Sequence, residues 1–393
     1  MIDNGRSIPK DQIEDAMTWI VWEVALQRSS LYKKCGFLGV FGFVLNCVSQ
    51  KLVLETALLN EYIRYNECMK KKIRKSTRKN APKHTYRVRN WSDYNKSLMQ
   101  RGSIRLWVSE DVLTNWHPKV EGKRLRGGQV SYSDQAIECL LMLKAVYRLP
   151  YRQTVGFAQS VLDLLGADVR VPDYTTLCKR SVNLTVAIAT SNVDEPKHIV
   201  VDSTGLKVYG EGEWKVRQHG YSKRRTWRKL HLSVDENTHE IQALALTEAC
   251  VDDAEAGKQL LNDTHGEIEQ ISGDGSYDKR KFYEATSRRG VKHITIPPRR
   301  NAKIWQHGNS KKQPLPRDQN LRRIRQIGRK QWKVESGYHQ RSLVETAVFR
   351  FKVIFGNTLN TRTLPRQITE ARIKVIALNR MTQLGMPDSY RVI

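Results

Sequence analysis

Cysteine is scarce in this 393-residue sequence, and no two cysteines are spaced as a metal site or a redox motif requires. There is no Cys-x-x-Cys pair, and the six cysteines lie at positions 35, 47, 68, 139, 178 and 250. Structural zinc sites and small disulfide-stabilised folds depend on clustered cysteines. The pattern argues against both classes and predicts reduced, non-ligating thiols in a cytoplasmic protein.

Long hydrophobic runs are also missing. The longest apolar stretch covers residues 36–48, whereas a membrane-spanning helix needs roughly 18 to 20 residues. It has the length of a signal-peptide core, but it begins far from the amino terminus and no A-x-A-like cleavage site follows it. Because 39% of the residues are hydrophobic, a buried core is nevertheless possible. We therefore expect a soluble globular protein that does not enter a membrane.

Acidic residues are too few to balance the basic ones. The chain has 67 Lys and Arg against 40 Asp and Glu, which gives a formal net charge of +27. Such an excess indicates a polyanionic partner, and nucleic acid is the most common one. A ribosome-associated or merely basic protein has the same composition, so charge alone predicts no chemistry.

The amino-terminal part carries the least information. Residues 1–68 contain apolar, helix-compatible stretches without recognisable chemistry, and we treat them as an extension of unknown role. At Met69 the composition changes to Lys and Arg, and residues 69–90 are typical of a basic arm that follows phosphates. A solvated linker explains the arm equally well. One hypothesis is that Met69 is the biological start, which amino-terminal sequencing would test.

Residues 91–190 have a mainly helical pattern. One helix is predicted over residues 151–165, and Asp173 is a candidate N-cap for the next. A helix, a turn and a second helix suggest a DNA-binding domain with a helix-turn-helix-like element. Three cations flank this pair of helices: Arg152, Lys179 and Arg180. Plain packing of two helices accounts for the same pattern.

From residue 197 the hydrophobic period changes to that of β-strands. The pattern predicts three strands, a helix, a strand, a helix and a strand, which describes a mixed sheet flanked by helices in an α/β domain over residues 197–384. The predicted elements lie at 198–202, 227–234, 241–246, 254–261, 268–272, 279–289 and 293–296. The basic segment 299–333 is predicted to be a surface stretch that lies on DNA. Further helices are expected at 342–355 and 366–381.

Two carboxylates follow predicted strands in this region. Asp202 ends the first strand, and Asp274 follows a later strand between two glycines. Ligands collect at such strand ends. An isolated Asp after a strand is more often a turn former, so neither residue alone identifies a site.

A third carboxylate lies in a spaced set of residues. The pattern Y-x2-R-x3-E-x6-K runs from Tyr338 to Lys352 and places Arg341, Glu345 and Lys352 on one face of a helix. An amphipathic helix with an Arg–Glu ion pair four residues apart gives the same spacing. The four residue types at these offsets should occur by chance in only about one of several hundred such proteins.

Together these residues resemble the DDE transposases of bacterial insertion sequences, specifically the insertion-sequence-five family. The resemblance covers about residues 83 to 384 and includes five further phrases: NWSDYNK at 90–96, RGS at 101–103, VDSTGLK at 201–207, GDGSYD at 273–278 and SLVET at 342–346. It implies an RNase H-like catalytic domain. The spacings between Asp202, Asp274 and Glu345 leave no room for the large insertion that some relatives carry.

The resemblance also implies a reaction. Three converging carboxylates repel one another, and hard divalent cations relieve the repulsion. Asp202 would bridge two Mg²⁺ ions, with Mn²⁺ as a substitute, while Asp274 and Glu345 would each complete one. In-line attack by water or a DNA 3′-hydroxyl would then cleave the terminal inverted repeats and transfer the strand into target DNA.

The remaining residues of the resemblance concern DNA. It implies that Tyr338, Arg341 and Lys352 contact phosphates and terminal bases of double-stranded DNA near the cut. By analogy the protein would act as a homodimer on DNA, in the bacterial cytoplasm and at the nucleoid. Two other readings stay open: a catalytically silent DNA-binding protein and a host RNase H-like nuclease. The three intact carboxylates favour an active enzyme over the first, and the region around residues 91–94 argues against the second.

Overall fold

A computed structural model describes five stretches of the chain: residues 85–119, 130–191, 195–208, 227–306 and 314–392. Residues 86–391 belong to one compact unit, and the architecture given below is that of this unit. The predicted extension, residues 1–68, and most of the predicted basic arm lie outside the described residues. No helix in the described stretches is long and apolar enough to cross a bilayer.

The first part of the unit is helical, as the sequence predicts. Two helices begin at capping side chains, since Ser133 accepts the N–H of Ala136 and Asp173 accepts the N–H of Thr175. The helices are α1 (Trp91–Gln100), α2 (Ile104–Trp107), α3 (Glu110–Thr114), α4 (Asp134–Val146), α5 (Tyr151–Leu164) and α6 (Tyr174–Asn183). A short strand before them, β1 (Thr85–Val88), pairs with β8 (Ser389–Val392) at the end of the chain.

The predicted helix-turn-helix-like element corresponds to α5 and α6. Residues 165–173 connect the two helices, which is longer than the three or four residues of a standard helix-turn-helix turn. Arg180 is engaged within the protein, because it donates to the carbonyl of Tyr132 at 3.0 Å and pairs with Asp134. Arg152 lies over the ring of Tyr174 at 4.7 Å. DNA reading by this element stays a prediction.

A mixed sheet forms the centre of the unit, as predicted, and in the described stretches it has six strands, one more than the five predicted. The strands are β2 (Lys197–Val208), β3 (Trp227–Asp235), β4 (Ile241–Glu248), β5 (Ile268–Gly273), β6 (His293–Thr295) and β7 (Thr358–Leu359). Five of them follow the order β4-β3-β2-β5-β6, with β3 antiparallel to β2 and β4, and with β2, β5 and β6 parallel. The unpredicted strand, β7, pairs with the far end of β2.

Helices cover both faces of the sheet. The covering helices are α7 (Asp253–Asp263) and α8 (Arg280–Arg288) on one face, and α11 (Ser342–Phe355) and α12 (Leu364–Gln383) on the other. Side chains of β2 alternate between the two faces: Val200 packs into a cluster with α11 and α12, whereas Ile199 and Val201 pack against α7 and α8. Leu140 and Leu177 of the helical part belong to the α11 and α12 cluster, so the helical part and the sheet share one core.

The basic segment 299–333 differs from its prediction as a surface stretch. Its second half forms α9 (Pro316–Ile327) and α10 (Arg329–Glu335), and residues 307–313 lie outside the described residues. Pro316 stands in the first turn of α9, where a missing N–H costs nothing. The prediction is wrong for Arg317 and Asp318, which are buried rather than exposed to DNA.

Candidate active site

Two of the predicted carboxylates, Asp202 and Asp274, lie beside each other at the carboxyl end of β5. The expectation that Asp202 ends its strand is wrong, because β2 continues to Val208 through pairing with β3 and β7. Its parallel neighbour β5 stops at Gly273, which is paired with Val201. Asp202 therefore lies level with Asp274, the first residue after β5. Ligands collect at the carboxyl ends of such parallel strands.

A tight turn fixes Asp274 at this position. Its carboxylate accepts the N–H of Ser276 at 2.9 Å and the hydroxyl of the same residue, and it caps a 3-10 turn over Gly275–Tyr277. The preceding glycine is needed for packing, since a side chain at Gly273 would come within 3.1 Å of Tyr277 and Val201. The turn thus holds the carboxylate at the edge of the sheet while the Tyr277 ring is buried beneath it.

The third carboxylate is brought to the same edge by α11. Val344, Ala347 and Phe351 are buried on one side of this helix, which packs against β2 and β3. Glu345 lies on the exposed side. A 3-10 turn over Tyr338–Arg341 precedes the helix and contacts both β2 and β5. The predicted helix bounds, 342–355, are confirmed.

Arg341 directly joins two of the three carboxylates. One guanidinium nitrogen donates to Oδ2 of Asp202 at 3.1 Å, and another donates to Oε1 of Glu345. The Tyr338 ring lies 5.9 Å from the same guanidinium. Lys352, two turns beyond Glu345 along α11, donates to the Thr204 hydroxyl of β2 at 2.5 Å. All the predicted site residues therefore lie at one edge of the sheet, although Arg341 and Lys352 contact protein atoms.

The electrostatics of the site reflect this crowding. Burial raises the pKa of Asp202 above its usual range, the N–H of Ser203 and the charge of Arg341 oppose that shift, and the charges of Asp274 and Glu345 add to it. Burial likewise raises the pKa of Tyr338, and the same three carboxylates contribute. Negative charge is thus concentrated around one point, and a cation there is favourable.

The donor set suits a hard divalent cation, although the side chains are not arranged around one. No group of three or more His, Cys, Asp or Glu side chains in the described stretches is close enough to hold a metal ion. The guanidinium of Arg341 stands between Asp202 and Glu345 instead. Carboxylate oxygens are the ligands that Mg²⁺ and Mn²⁺ prefer, so the residue types fit once Arg341 has moved away.

One residue of the site was not found from the sequence. Thr204 receives the Lys352 ammonium. It carries no sequence signal, because its contact depends on the approach of α11.

The chain matches known proteins over this region. Two family models, both described as "Transposase DDE domain", match residues 99–211 and 194–380. Together they span residues 99–380, which contain the six-stranded sheet and all six predicted site residues. The fold and this match define an enzyme that moves DNA. The chain belongs to the DDE transposases.

A solved structure gives a weaker likeness. A cryo-EM structure of a piggyBac transposase synaptic complex with hairpin DNA is similar over 72% of this chain and 75% of its own, at 12% identity. The TM-score is 0.31, so neither fold details nor residue roles carry over from it.

Proposed function

We propose that this chain is an insertion-sequence transposase that cleaves DNA at terminal inverted repeats and transfers the cleaved strand into target DNA. The observation that carries the proposal is that Asp202, Asp274 and Glu345 lie at one edge of the sheet, where Arg341 pairs with two of them. These three residues are the proposed catalytic carboxylates and metal ligands. Their residue types also match the Asp, Asp and Glu after which the DDE family is named.

The fold and signature support a more specific assignment. Three antiparallel strands followed by two parallel ones, with helices on both faces, agree with an RNase H-like catalytic domain. The signature Tyr338, Arg341, Glu345 and Lys352 occupies α11 and the turn before it, beside the two aspartates. This placement supports membership of the insertion-sequence-five family.

Two divalent ions, Mg²⁺ or Mn²⁺, would activate a water or 3′-hydroxyl and stabilise the leaving oxygen when bound. Asp202 would be one of the ligands that hold them, since the charges of both other carboxylates act on its side chain. Its Oδ1 accepts the N–H of Ser203 at 2.8 Å, and its Oδ2 accepts Arg341. Arg341 must therefore release Oδ2 before a metal ion reaches it.

The displaced arginine has an obvious acceptor in DNA. A guanidinium binds phosphate through two parallel hydrogen bonds, whereas an ammonium acts as a point charge. Arg341 and Lys352 would thus hold the phosphates on each side of the cut. Tyr338 would remain a neutral hydrogen-bond donor at physiological pH, because its pKa is raised. These three residues position DNA and transfer no proton.

The proposed partner is double-stranded DNA, in agreement with the net charge of +27. We assign residues 91–190 to DNA binding and residues 197–384 to catalysis, although the two parts share a core. Pairing two element ends implies a homodimer on DNA, and the expected location is the bacterial nucleoid.

The experiment is magnesium-dependent strand transfer of a labelled element end by the full chain. Asp274→Ala should abolish the joined product, because one proposed metal ligand is lost. Glu284→Gln, which removes an exposed carboxylate of α8, should leave it unchanged. If the wild type binds the labelled end but never cuts it, the chain is instead a catalytically silent DNA-binding protein.

A further inference from the structure

A cavity lies where the helical part of the unit meets the end of α11 and the start of α12, and none of its lining residues belongs to the proposed active site. Its volume is about 40 Å³. One water molecule needs roughly 10–15 Å³ of such space, so the cavity has room for about three. A small polyatomic ion therefore fits, whereas a nucleoside is too large. Five charged side chains line the cavity: Lys144, Arg148, Arg366, Glu370 and Lys374.

Cations outnumber carboxylates in this cavity by four to one. The carboxylate of Glu370 accepts the N–H of Asn360 at 3.0 Å and the N–H and hydroxyl of Thr361 at 3.0 and 2.8 Å. It also pairs with the Lys374 ammonium at 2.7 Å, and the two side chains are 8% and 3% exposed. Glu370 and Lys374 thus form a neutral buried pair, which leaves the other three cations without a carboxylate in the cavity.

Two of these three cations have unused hydrogen-bond donors. The Lys144 ammonium lies 4.7 Å from the centre of the Tyr151 ring and makes no hydrogen bond or ion pair with any residue that the structure describes. Arg366 donates from Nε to the Cys178 carbonyl at 3.1 Å, and its two terminal nitrogens have no acceptor among those residues. The third cation, Arg148, is engaged with carbonyl groups at the end of α11.

Stability does not explain the unpaired ammonium of Lys144. A partly buried cation without an acceptor costs free energy, and an apolar side chain of similar length would fill the same space without that cost. Burial accordingly lowers the pKa of Lys144, while the charge of Glu370 opposes this shift and that of Lys374 adds to it. An acceptor in the cavity would remove the cost.

Water and an anion are the two occupants to compare. Water accepts hydrogen bonds from Lys144 and Arg366 but leaves both positive charges in place. An anion accepts the same hydrogen bonds and neutralises charge as well, and charge-assisted hydrogen bonds are roughly twice as strong as neutral ones. The excess of cations in the cavity therefore favours an anion.

We propose that the cavity binds a phosphate group through Lys144 and Arg366. A guanidinium holds two phosphate oxygens at once, and an ammonium holds another as a point charge. Lys144 belongs to α4 and Arg366 to α12, so one bound phosphate connects the helical part to a helix that covers the sheet. The phosphate comes from the DNA backbone or from a free phosphate ion. Only the first source rests on the proposed function.

The first experiment tests the free ion with inorganic phosphate and the full chain. Saturating phosphate should raise the melting temperature of the wild type by about 2 °C or more relative to chloride at equal ionic strength. Lys144→Met removes the ammonium and keeps the apolar length, so its melting temperature should be the same in phosphate and in chloride. The matched control is Lys292→Met, which removes an exposed lysine paired with Glu267. It should respond like the wild type.

The second experiment tests the DNA backbone as the source. Fluorescence anisotropy with a labelled element end gives the slope of log affinity against log salt concentration. If a DNA phosphate occupies the cavity, Lys144→Met should lower this slope by about 1, and Lys292→Met should not change it. An unchanged slope together with the phosphate-dependent melting shift assigns the cavity to the free ion.

The stability of the variant in chloride provides a check on folding. Lys144→Met removes an uncompensated charge, so its melting temperature in chloride should equal or exceed that of the wild type. A clear decrease would mean that the ammonium is a structural group, and it would overturn the inference.

Two further results overturn the inference. One is a wild-type phosphate shift in Lys144→Met together with an unchanged salt slope, and the other is an equal loss of either response in Lys292→Met. Failure of the proposed function gives a different result, because the phosphate experiment contains no DNA and requires no strand transfer. A chain that never joins DNA but shows the Lys144-dependent melting shift would keep the phosphate site and lose only the transposase assignment.

Discussion

Two arginines in this molecule each lie between two carboxylates, in very different surroundings. Arg317 pairs with Asp278 at 2.6 Å and contacts Asp318 at 3.4 Å, and these side chains are 4%, 3% and 1% exposed. Arg341 pairs with Asp202 and Glu345, and the corresponding values are 22%, 20% and 54%. The same chemical groups thus form a buried triad and a partly exposed triad.

The buried triad is also held by the surrounding chain. Arg317 donates to the Lys303 carbonyl at 2.9 Å and lies 3.8 Å from the centre of the Trp305 ring. Asp318 accepts the backbone N–H groups of Trp305 and Gln306 at 2.8 to 3.1 Å. These bonds leave the triad no room to exchange a partner for an ion or phosphate.

Exposure therefore separates an arginine that permanently links two carboxylates from one that can exchange its carboxylate partners. Removing one member of a buried triad leaves an unpaired charge without water, which is costly. In the exposed triad, water replaces a lost partner, so the contacts contribute little to stability. Partial exposure is therefore the property that the site needs if DNA and metal ions are to displace Arg341.

The largest expected effect contrasts two aspartates that are four residues apart. Asp274→Asn should lower the strand-transfer rate by about a thousandfold or more, because a metal ligand contributes several kcal/mol to the transition state. The melting temperature should barely change. Asp278→Asn should lower the melting temperature but leave the folded protein active. If the two variants lost the same strand-transfer activity and had the same melting temperature, the distinction between the two triads would be wrong.

Replacing Arg317 should lower the stability much more than replacing Arg341. Arg317→Met should lower the free energy of unfolding by about 3–5 kcal/mol, since it leaves Asp278 and Asp318 buried without their cation. Arg341→Met should change it by about 1 kcal/mol or less. Urea unfolding followed by tryptophan fluorescence measures both. A larger loss for the Arg341 variant is the opposite of what we expect.

Metal affinity should rise when Arg341 is neutralised. Arg341→Gln frees Asp202 and Glu345 from their bound cation, and we expect Mn²⁺ to bind about tenfold more tightly without DNA. Lys352→Gln removes the same charge from a contact with Thr204, so it should raise the affinity much less. Calorimetry decides between them. An equal rise in both variants would mean that only net charge matters.

The smallest expected effect concerns DNA binding. Lys352→Gln removes one proposed phosphate contact, so the slope of log affinity against log salt concentration should fall by about 1. Arg317→Lys, within the buried triad, should not change the slope. Fluorescence anisotropy with a labelled element end at several salt concentrations measures it, and an unchanged slope would remove Lys352 from the DNA contacts.

Much of the sheet could be predicted from the sequence because its strands are short apolar runs bounded by turns. The predicted element at 268–272 and the helix at 342–355 agree with β5 and α11 within one residue. Asp274 could be identified because the end of the preceding strand and the two flanking glycines are local features of the sequence. The position of Glu345 on an exposed helix face likewise follows from a local period.

Features that depend on distant partners could not be predicted. β2 continues past Asp202 because it pairs with β3 and β7, although Gly205 and Lys207 interrupt the apolar pattern. The charges of Arg317 and Asp318 suggested a surface, since their burial requires Asp278 from another part of the chain. The contact of Arg341 with two carboxylates also depends on the tertiary fold.

Asp274 is the proposed ligand of a metal ion during strand transfer. The most direct measurement compares Asp274→Cys with the wild type in Mg²⁺ and in Mn²⁺. A thiolate is a poor ligand for Mg²⁺ and a better one for the softer Mn²⁺. We predict that the variant forms no joined product in Mg²⁺ and recovers it in Mn²⁺. Joining by the variant in Mg²⁺ at the wild-type rate would contradict the assignment of Asp274 as a metal ligand.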